Sequence, residues 1–447
     1  MKEFLEHIKK EAKKFFSIEA KKPIIIYTHY DADGLSSAAI LIKTLKIFDK
    51  PFILKVVKNL DFEKIKKIKE NKEKFSSIIF LDLASSFIDM LKDLENCFII
   101  DHHKINSKEN EKIEGFINYR CFSDDFKTSS SIETYYFCSS ILPEKEAREL
   151  RKIALIGFLG DYSFENLSKF TNYFLKESKE EIKIKKGLKV FSYSKPIHKA
   201  LEFSNIYLPE ITGKKEKILA LLKEIGIKIK EGERYKTLND LSEEEISKLI
   251  TSIVIFKTLE NKNVEIIGNI YLVKFFNVLE DAREIVTLIN ACGRLNKHYL
   301  AILFLLEKEK SKKILDRIYF KYKYEIIKGL RLFEKELKNN KKEYIVVNCK
   351  DKINPNIIGT ICSILINSID KDFVIVGLAR REKDIKFSIR SKVRDVGNIL
   401  EKVRKNINFN YGCHRKAGGG TIDFHQEEDF IQALTKVLEE EFITIKI

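Results

Sequence analysis

The chain has 447 residues, 44% of them hydrophobic, and its 82 Lys and Arg against 66 Asp and Glu give a formal net charge of +16. That length supports two or three domains with substantial cores, and the longest apolar run, 299–306, falls far below the ~20 residues of a bilayer-spanning helix. Seven cysteines without a C-x-x-C pair read as reduced thiols, so a soluble cytoplasmic protein is expected and a disulfide framework is excluded. The positive charge points to an anionic partner, nucleic acid first. Abundant Lys, Glu and Ile with no Trp and two Met also fit a heat-adapted proteome.

Residues 1–16 alternate charged and apolar positions at helical spacing, unlike a signal peptide. A β-prone run at 23–28 is followed by a helix over 35–48 reached through Gly34. A Lys-rich helical stretch, 62–74, precedes a strand ending at Leu81, another strand precedes Asp101, and 144–160 is helical. This alternation predicts a mostly parallel, doubly wound sheet in a first domain, 1–200. A middle region, 201–341, is helix-rich, with 3.6-residue periodicity over 215–225, 242–259 and 281–291 and a charged helical connector over 307–341. The last region, 342–447, returns to α/β alternation: strand 344–349, helix 357–369, strands 373–378 and 386–390, and a closing helix over 427–442.

Polar clusters terminate three of the early strands: His29-Tyr30-Asp31-Ala32-Asp33-Gly34, Asp82 after Leu81, and Asp101-His102-His103. In a parallel sheet the carboxyl ends of the strands share one edge, where ligand sites form, so the clusters are expected to converge. Carboxylate oxygens suit hard divalent cations, and Mn²⁺ also accepts imidazole nitrogen. Two-metal hydrolysis needs cations ~3.5–4 Å apart with a bridging carboxylate, and Asp82 at the end of a central strand suits that position. In an extended His29-x-Asp31-x-Asp33 segment all three side chains would point one way. His102 and His103 should diverge, one toward metal and the other toward substrate.

These segments closely resemble the first three motifs of the DHH phosphoesterase superfamily, and Ile156-Gly157-Phe158-Leu159-Gly160-Asp161 resembles its fourth. Gly412-Cys413-His414-Arg415-Lys416-Ala417-Gly418-Gly419 looks like the glycine/histidine loop of the associated DHHA1 domain, although Tyr411 and Cys413 flank Gly412 where that family has a run of glycines. Phe387-Ser388-Ile389-Arg390-Ser391 looks like its arginine strand. The middle segments 235–241, 281–284 and 290–294 are similar to the archaeal RecJ-like subgroup, which includes nucleases associated with GINS and with a helicase.

The resemblance implies an α/β fold: a parallel-sheet DHH domain, a helical middle insertion, and a smaller C-terminal α/β DHHA1 domain across an intervening groove. It further implies two Mn²⁺, with Mg²⁺ or Co²⁺ as substitutes. His29 and Asp31 would hold one ion, Asp33, His102 and Asp161 the other, and Asp82 would bridge. His103 would contact the scissile phosphate, supported by Asp101. Arg390, His414, Ala417, Gly418 and Gly419 would bind substrate, guanidinium offering a planar fork for phosphate.

Several residues keep two readings. Gly418–Gly420 could be an ordinary hairpin turn. Arg390 could pair with Asp384 or Glu382, and Arg294 could line the strand path or cap its helix. Tyr135 and Tyr136 with Ser129–Ser131 could stack on or hydrogen-bond a substrate backbone, or the tyrosines could pack in the core. The expected function is a Mn²⁺-dependent exonuclease on single-stranded DNA or RNA, with GINS or a repair helicase as possible partner and no membrane association. The alternatives are a phosphodiesterase for short oligoribonucleotides or cyclic dinucleotides, and a GINS-binding scaffold.

Overall fold

The computed structural model describes residues 1–105, 113–125, 127–161, 167–188, 192–204, 207–209, 211–258 and 267–443. It divides into two compact units, one formed by Met1–Lys185 with Asn269–Tyr319 and the other by Lys186–Gly268 with Phe320–Ile447. These units cut the chain differently from the three consecutive blocks drawn from composition, because residues 269–319 pack with the first unit.

The first unit opens with helix α1 (Lys2–Ser17), strand β1 (Ile24–His29), helix α2 (Ala32–Ile47) and strand β2 (Phe52–Val57). Helix α3 (Phe62–Glu70), β3 (Ile78–Leu81), α4 (Ile88–Leu91), β4 (Cys97–Ile100) and β5 (Phe116–Ile117) follow, then α5 (Ser130–Ser139) and α6 (Glu144–Asp161). The strands pair in the order β2-β1-β3-β4-β5, every pair parallel. Strand side chains alternate between faces. Ile25, Tyr27, Ile78, Phe80 and Ile99 therefore pack in one cluster with Ile65 and Ile68 of α3 and Ile88 and Leu91 of α4. On the opposite face Phe98 meets Phe15 of α1, which also contacts Phe137 of α5. A sheet buried on both faces leaves only its ends for polar groups, as the parallel architecture requires.

Register decides what those ends present. Thr28 lies beside Leu81, and Leu81 beside Ile100, so the next residues of three neighbouring strands, His29, Asp82 and Asp101, emerge side by side.

Helix Ala282–Arg294, preceded by the antiparallel hairpin Ile267–Phe275 and Val278–Asp281, packs against α2 and α6. Arg294 is the last residue of that helix. In the second unit the helices Ile197–Glu202, Lys215–Glu224 and Glu243–Thr258 precede a mixed five-stranded sheet. Its order is Tyr344–Asn348, Val374–Arg380, Ile385–Ser391, Ala417–Ile422 and Asn410–His414. The first pair is parallel and the rest antiparallel. Helices Val396–Arg404 and Glu427–Ile443 close one face over Phe387, Ile389, Leu400, Phe430 and Leu434.

Among the described residues no helix is long and apolar enough to cross a membrane. All seven cysteines are free; four are buried, but Cys413 is exposed on the edge strand of the second sheet.

Candidate metal centre

Each functional side chain is delivered by an element end. His29 is the last residue of β1, and two residues later Asp31 caps α2, its Oδ1 accepting from the Gly34 amide at 3.1 Å. The helix therefore starts at Ala32, three residues before the expected position, and Asp33 lies in its first turn. This corrects the extended reading of His29-x-Asp31-x-Asp33: only His29 is on the strand, and Asp33 reaches the site from the helix. An N-cap carboxylate satisfies an amide that the helix leaves orphaned, and that term decides where the strand gives way. Gly34 is obligatory for a steric reason, since a Cβ there would sit 2.5 Å from the His29 carbonyl oxygen.

Asp82 follows β3 with φ 61°, a left-handed conformation uncommon outside glycine and enriched for Asp. Backbone strain of this kind is a local cost, of order ~1–3 kcal/mol, that surrounding structure must hold in place. The result is a carboxylate shared by every group of ligand atoms. His29, Asp31 and Asp82 form one such group, Asp33, Asp82, His102 and Asp161 a second, and Asp82, His102 and His103 a third, each with ligand atoms within 4.8 Å of one another. His29 Nδ1 is 2.7 Å from Asp31 Oδ2 and 3.3 Å from Asp82 Oδ2. His102 Nε2 is 3.1 Å from Asp161 Oδ2, 3.4 Å from Asp82 Oδ1 and 3.9 Å from Asp33 Oδ2. Thus one oxygen of Asp82 faces His29 and the other faces His102.

The donor set fits a pair of divalent cations. Asp33, Asp82 and His102 are buried, and carboxylates crowded this closely need compensating positive charge. His29 Nδ1 and Asp82 Oδ2 are buried within ion-pairing distance of each other and make no hydrogen bond. Buried polar atoms are seldom left in that condition, and a cation between such donors satisfies both.

Protonation answers the same crowding. Burial alone would lower the His29 imidazole, but the Asp31 and Asp82 carboxylates push it up to about 11. Burial likewise opposes the His102 imidazolium, while Asp161 and Asp82 hold it well above the ordinary value. Burial, with Asp82 and Asp161 beside it, raises the Asp33 carboxyl. Burial also opposes ionisation of Asp82, but His102 and His29 keep its carboxyl well below the usual range.

His102 and His103 differ in exposure, the side chain of His102 being 5% exposed and that of His103 54%, but they do not part as expected: their ring centroids lie 4.5 Å apart and both belong to one candidate ligand group with Asp82. Asp101 stands outside the ligand groups. Its Oδ2 accepts from the Ser85 amide at 2.8 Å and its Oδ1 from His103 Nδ1 at 2.7 Å. A carboxylate can only accept when ionised, so Nδ1 carries the proton in that bond and Nε2 is presented outward. The Asp101 contact raises the His103 imidazole despite partial burial. Asn118 Nδ2 and Arg120 Nε donate to the carbonyls of His103 and His102, fixing this turn.

Several supporting residues have a role that the sequence reading did not assign, although it singled out Ser129–Ser131 as candidate substrate contacts. The amides of Ser130 and Ser131, at the start of α5, donate to Asp33 at 2.7 and 3.0 Å, and Ser130 Oγ donates to Asp82 at 3.1 Å. The Ser129–Ser131 segment thus serves the aspartates, and Tyr135 and Tyr136 are buried. The available signal was Thr128-Ser129-Ser130-Ser131 before an apolar run, a helix N-terminus whose dipole favours an anion.

On α6, a Cβ at Gly157 would fall 2.2 Å from Ser131 Oγ and 2.7 Å from Asp33 Oδ1. Gly157→Ala is therefore expected to displace Asp33 and weaken Mn²⁺ binding at least about tenfold, besides an overpacking cost of ~1–3 kcal/mol. Mn²⁺ titration beside a thermal melt checks both.

The expected substrate residues Arg390, His414, Ala417, Gly418 and Gly419 lie in the second unit. Arg390 pairs across the sheet with Ala417, and His414 with Ala417 on the other side. The Arg390 guanidinium donates to Ser363 Oγ at 2.8 Å, Ser388 Oγ at 3.0 Å and the Gly418 carbonyl at 3.0 Å. Asp384 lies instead beside Arg381. Gly418–Gly420 are strand residues and the turn falls at Arg415–Lys416, which corrects the glycine-turn reading. At Gly420 a Cβ would lie 2.0 Å from the Asn410 carbonyl oxygen.

Comparisons with known proteins agree with this architecture. Residues 23–159 match the model of the DHH family N-terminal domain, 192–268 that of the DHH-CID domain and 341–440 that of the DHHA1 domain. An uncharacterized protein of Methanocaldococcus jannaschii is 28% identical over 429 residues, covering 94% of each chain. Among solved structures, CDC45 from Entamoeba histolytica is similar with a TM-score of 0.65 at 14% identity, covering 98% of each chain. The exonuclease RecJ bound to manganese has a TM-score of 0.59 at 14% identity, covering 97% of this chain and 94% of its own. With three matching domains and a RecJ-like fold, the chain belongs to the DHH/DHHA1 superfamily.

Proposed function

We propose that the chain is a Mn²⁺-dependent exonuclease that hydrolyses phosphodiester bonds of single-stranded DNA or RNA. The observation that carries this reading is Asp82, whose two oxygens face His29 on one side and His102 on the other. Asp31 completes the first group, and Asp33 and Asp161 complete the second. When bound, two divalent cations supply neutralisation of the phosphate charge and water activation at neutral pH.

The protein's own groups do the rest. Asp101 fixes the His103 ring, leaving Nε2 to donate to a phosphoryl oxygen, and protonation favoured by Asp101 supplies positive charge there. Ser130 and Ser131 hold Asp33, so its carboxylate does not reorganise during turnover. Arg390, His414 and the Ala417–Gly419 backbone are the groups we assign to the nucleic-acid phosphates, with guanidinium the strongest of them. The formal charge of +16 suits a polyanionic substrate. The similar fold of an exonuclease bound to manganese supports the metal and the polymer substrate. GINS or a helicase as partner is supported by the resemblance of segments 235–241, 281–284 and 290–294 to the archaeal RecJ-like subgroup.

Single-stranded and duplex oligonucleotides of both sugars, labelled at either end, test the assignment. Mononucleotides should appear from one end of the single strands with Mn²⁺, and chelation should abolish them. Internal cleavage, or faster turnover of a dinucleotide than of a long strand, would overturn the exonuclease reading in favour of another phosphodiesterase.

A further inference from the structure

One part-buried contact joins the candidate metal-binding turn to a helix that follows it in the chain by 258 positions. Asn290 of helix Ala282–Arg294 accepts, through Oδ1, a hydrogen bond from the Ala32 amide at 2.9 Å. Ala32 is the first residue of α2, so this amide has no partner within its own helix. Left alone, it would compete for the neighbouring Asp31 carboxylate or go unsatisfied. With Asn290 in place, Asp31 uses Oδ1 for the Gly34 amide and keeps Oδ2 directed at His29. One turn along the same helix, Gly293 lets it press against the turn: a Cβ there would be 1.9 Å from the Tyr30 carbonyl oxygen.

The two aspartates of this turn have different supports. Asp33 is held by the Ser130 and Ser131 amides of α5. Asp31 has its own cap bond and, through the adjacent amide, Asn290. A disturbance at Asn290 therefore reaches Asp31 first.

We propose that Asn290 is a positioning residue for the Asp31 half of the metal centre, freeing one Asp31 oxygen for a cation by taking the Ala32 amide. This rests on the two-cation reading above and adds a selectivity that the reading does not contain. Residues that orient metal ligands typically change affinity by about 10–100-fold when replaced.

The test is calorimetric titration of the full-length, chelator-treated protein with Mn²⁺, comparing wild type, N290A, N290D and G293A, with folding checked by circular dichroism. N290A should weaken one of the two Mn²⁺ equivalents about tenfold or more and leave the other unchanged. N290D, which keeps the acceptor oxygen, should retain both equivalents. G293A, which pushes on the same turn, should reproduce the selective loss. The inference is overturned if N290A binds both equivalents as wild type does, if N290A weakens both equally, or if N290D falls as far as N290A. A wild type that takes up no Mn²⁺ would instead remove the metal-centre reading beneath it.

Discussion

Asp82→Ala is expected to abolish phosphodiester hydrolysis, lowering kcat at least about 10³-fold while the protein stays folded. Position explains the size of the effect. Asp82 belongs to all three groups of candidate ligand atoms, so its loss disturbs both halves of the centre at once, whereas Asp31 or Asp161 belongs to one. An electrostatic contribution in a buried site is commonly worth 10²–10³ in rate for a single donor, and a shared ligand compounds two such losses.

Stability should fall modestly. Asp82 holds φ 61°, where alanine is less tolerant than aspartate. Its removal relieves repulsion with Asp33 and Asp31, the carboxylates whose ionisation Asp82 opposes, but it also removes the anion that His29 and His102 hold ionised and that favours their own protonated forms. The metal-free variant should thus melt below the metal-free wild type while remaining folded. Asp82→Asn separates charge from shape, keeping size and backbone preference while removing the anion, and should be as inactive as Ala. Single-turnover hydrolysis of an end-labelled strand, alongside thermal melts, checks all three statements. Turnover retained in either variant would refute a bridging role.

Much of this centre was legible because parallel strands convert a linear pattern into a spatial one. Each of β1, β3 and β4 is an apolar run that stops at a polar residue, and register aligns the stops. Nothing local was needed beyond the run and its end. The turn into α2 was misjudged because Gly34 was read as the hinge before the helix, whereas Asp31 caps the helix and moves its start back to Ala32. Gly157 and Gly160 could be seen on α6, but not what they approach, since Ser131 and Ala32 arrive from elsewhere in the chain.

The same limit hid the roles of Ser130, Ser131 and Asn290, which lie wholly in partners far away in sequence. In the second sheet three successive glycines suggested a turn. Their pairing with Phe387–Ile389 shows that they are there to let strands approach, with Asn410 and Phe387 occupying the space of a side chain. The grouping of residues 269–319 with the first unit is likewise a matter of packing, and chain order carries no trace of it.

Mn²⁺ affinity should rise steeply with pH, by about tenfold per pH unit for every proton that the cation displaces. Metal ligands must bind deprotonated, yet the cation-free site holds protons at neutral pH. His29 is pushed up to about 11 by Asp31 and Asp82 against its burial, and His102 is raised by Asp161 and Asp82 in the same way. Asp82 is already ionised, its carboxyl held low by those imidazoles against burial, and adds no proton to the exchange.

The sign for the metal-free fold is opposite. A histidine with a raised folded pKa contributes stability in full below its unfolded value of about 6.5, and that contribution is lost as pH climbs through the folded value. For His29 the window runs from about 6.5 to about 11. Metal-free protein should therefore lose this contribution over the same range in which Mn²⁺ binds more tightly. A cation at a hundredfold excess over its Kd stabilises the native state by about 2.7 kcal/mol, and that figure grows as Kd falls. Melting temperatures with Mn²⁺ and with chelator should accordingly separate further at pH 8 than at pH 6, and calorimetry in buffers of different ionisation enthalpy should register proton release on binding. A separation that stays constant across this range would mean that no imidazole proton is exchanged for the metal, and His29 and His102 would then not be ligands.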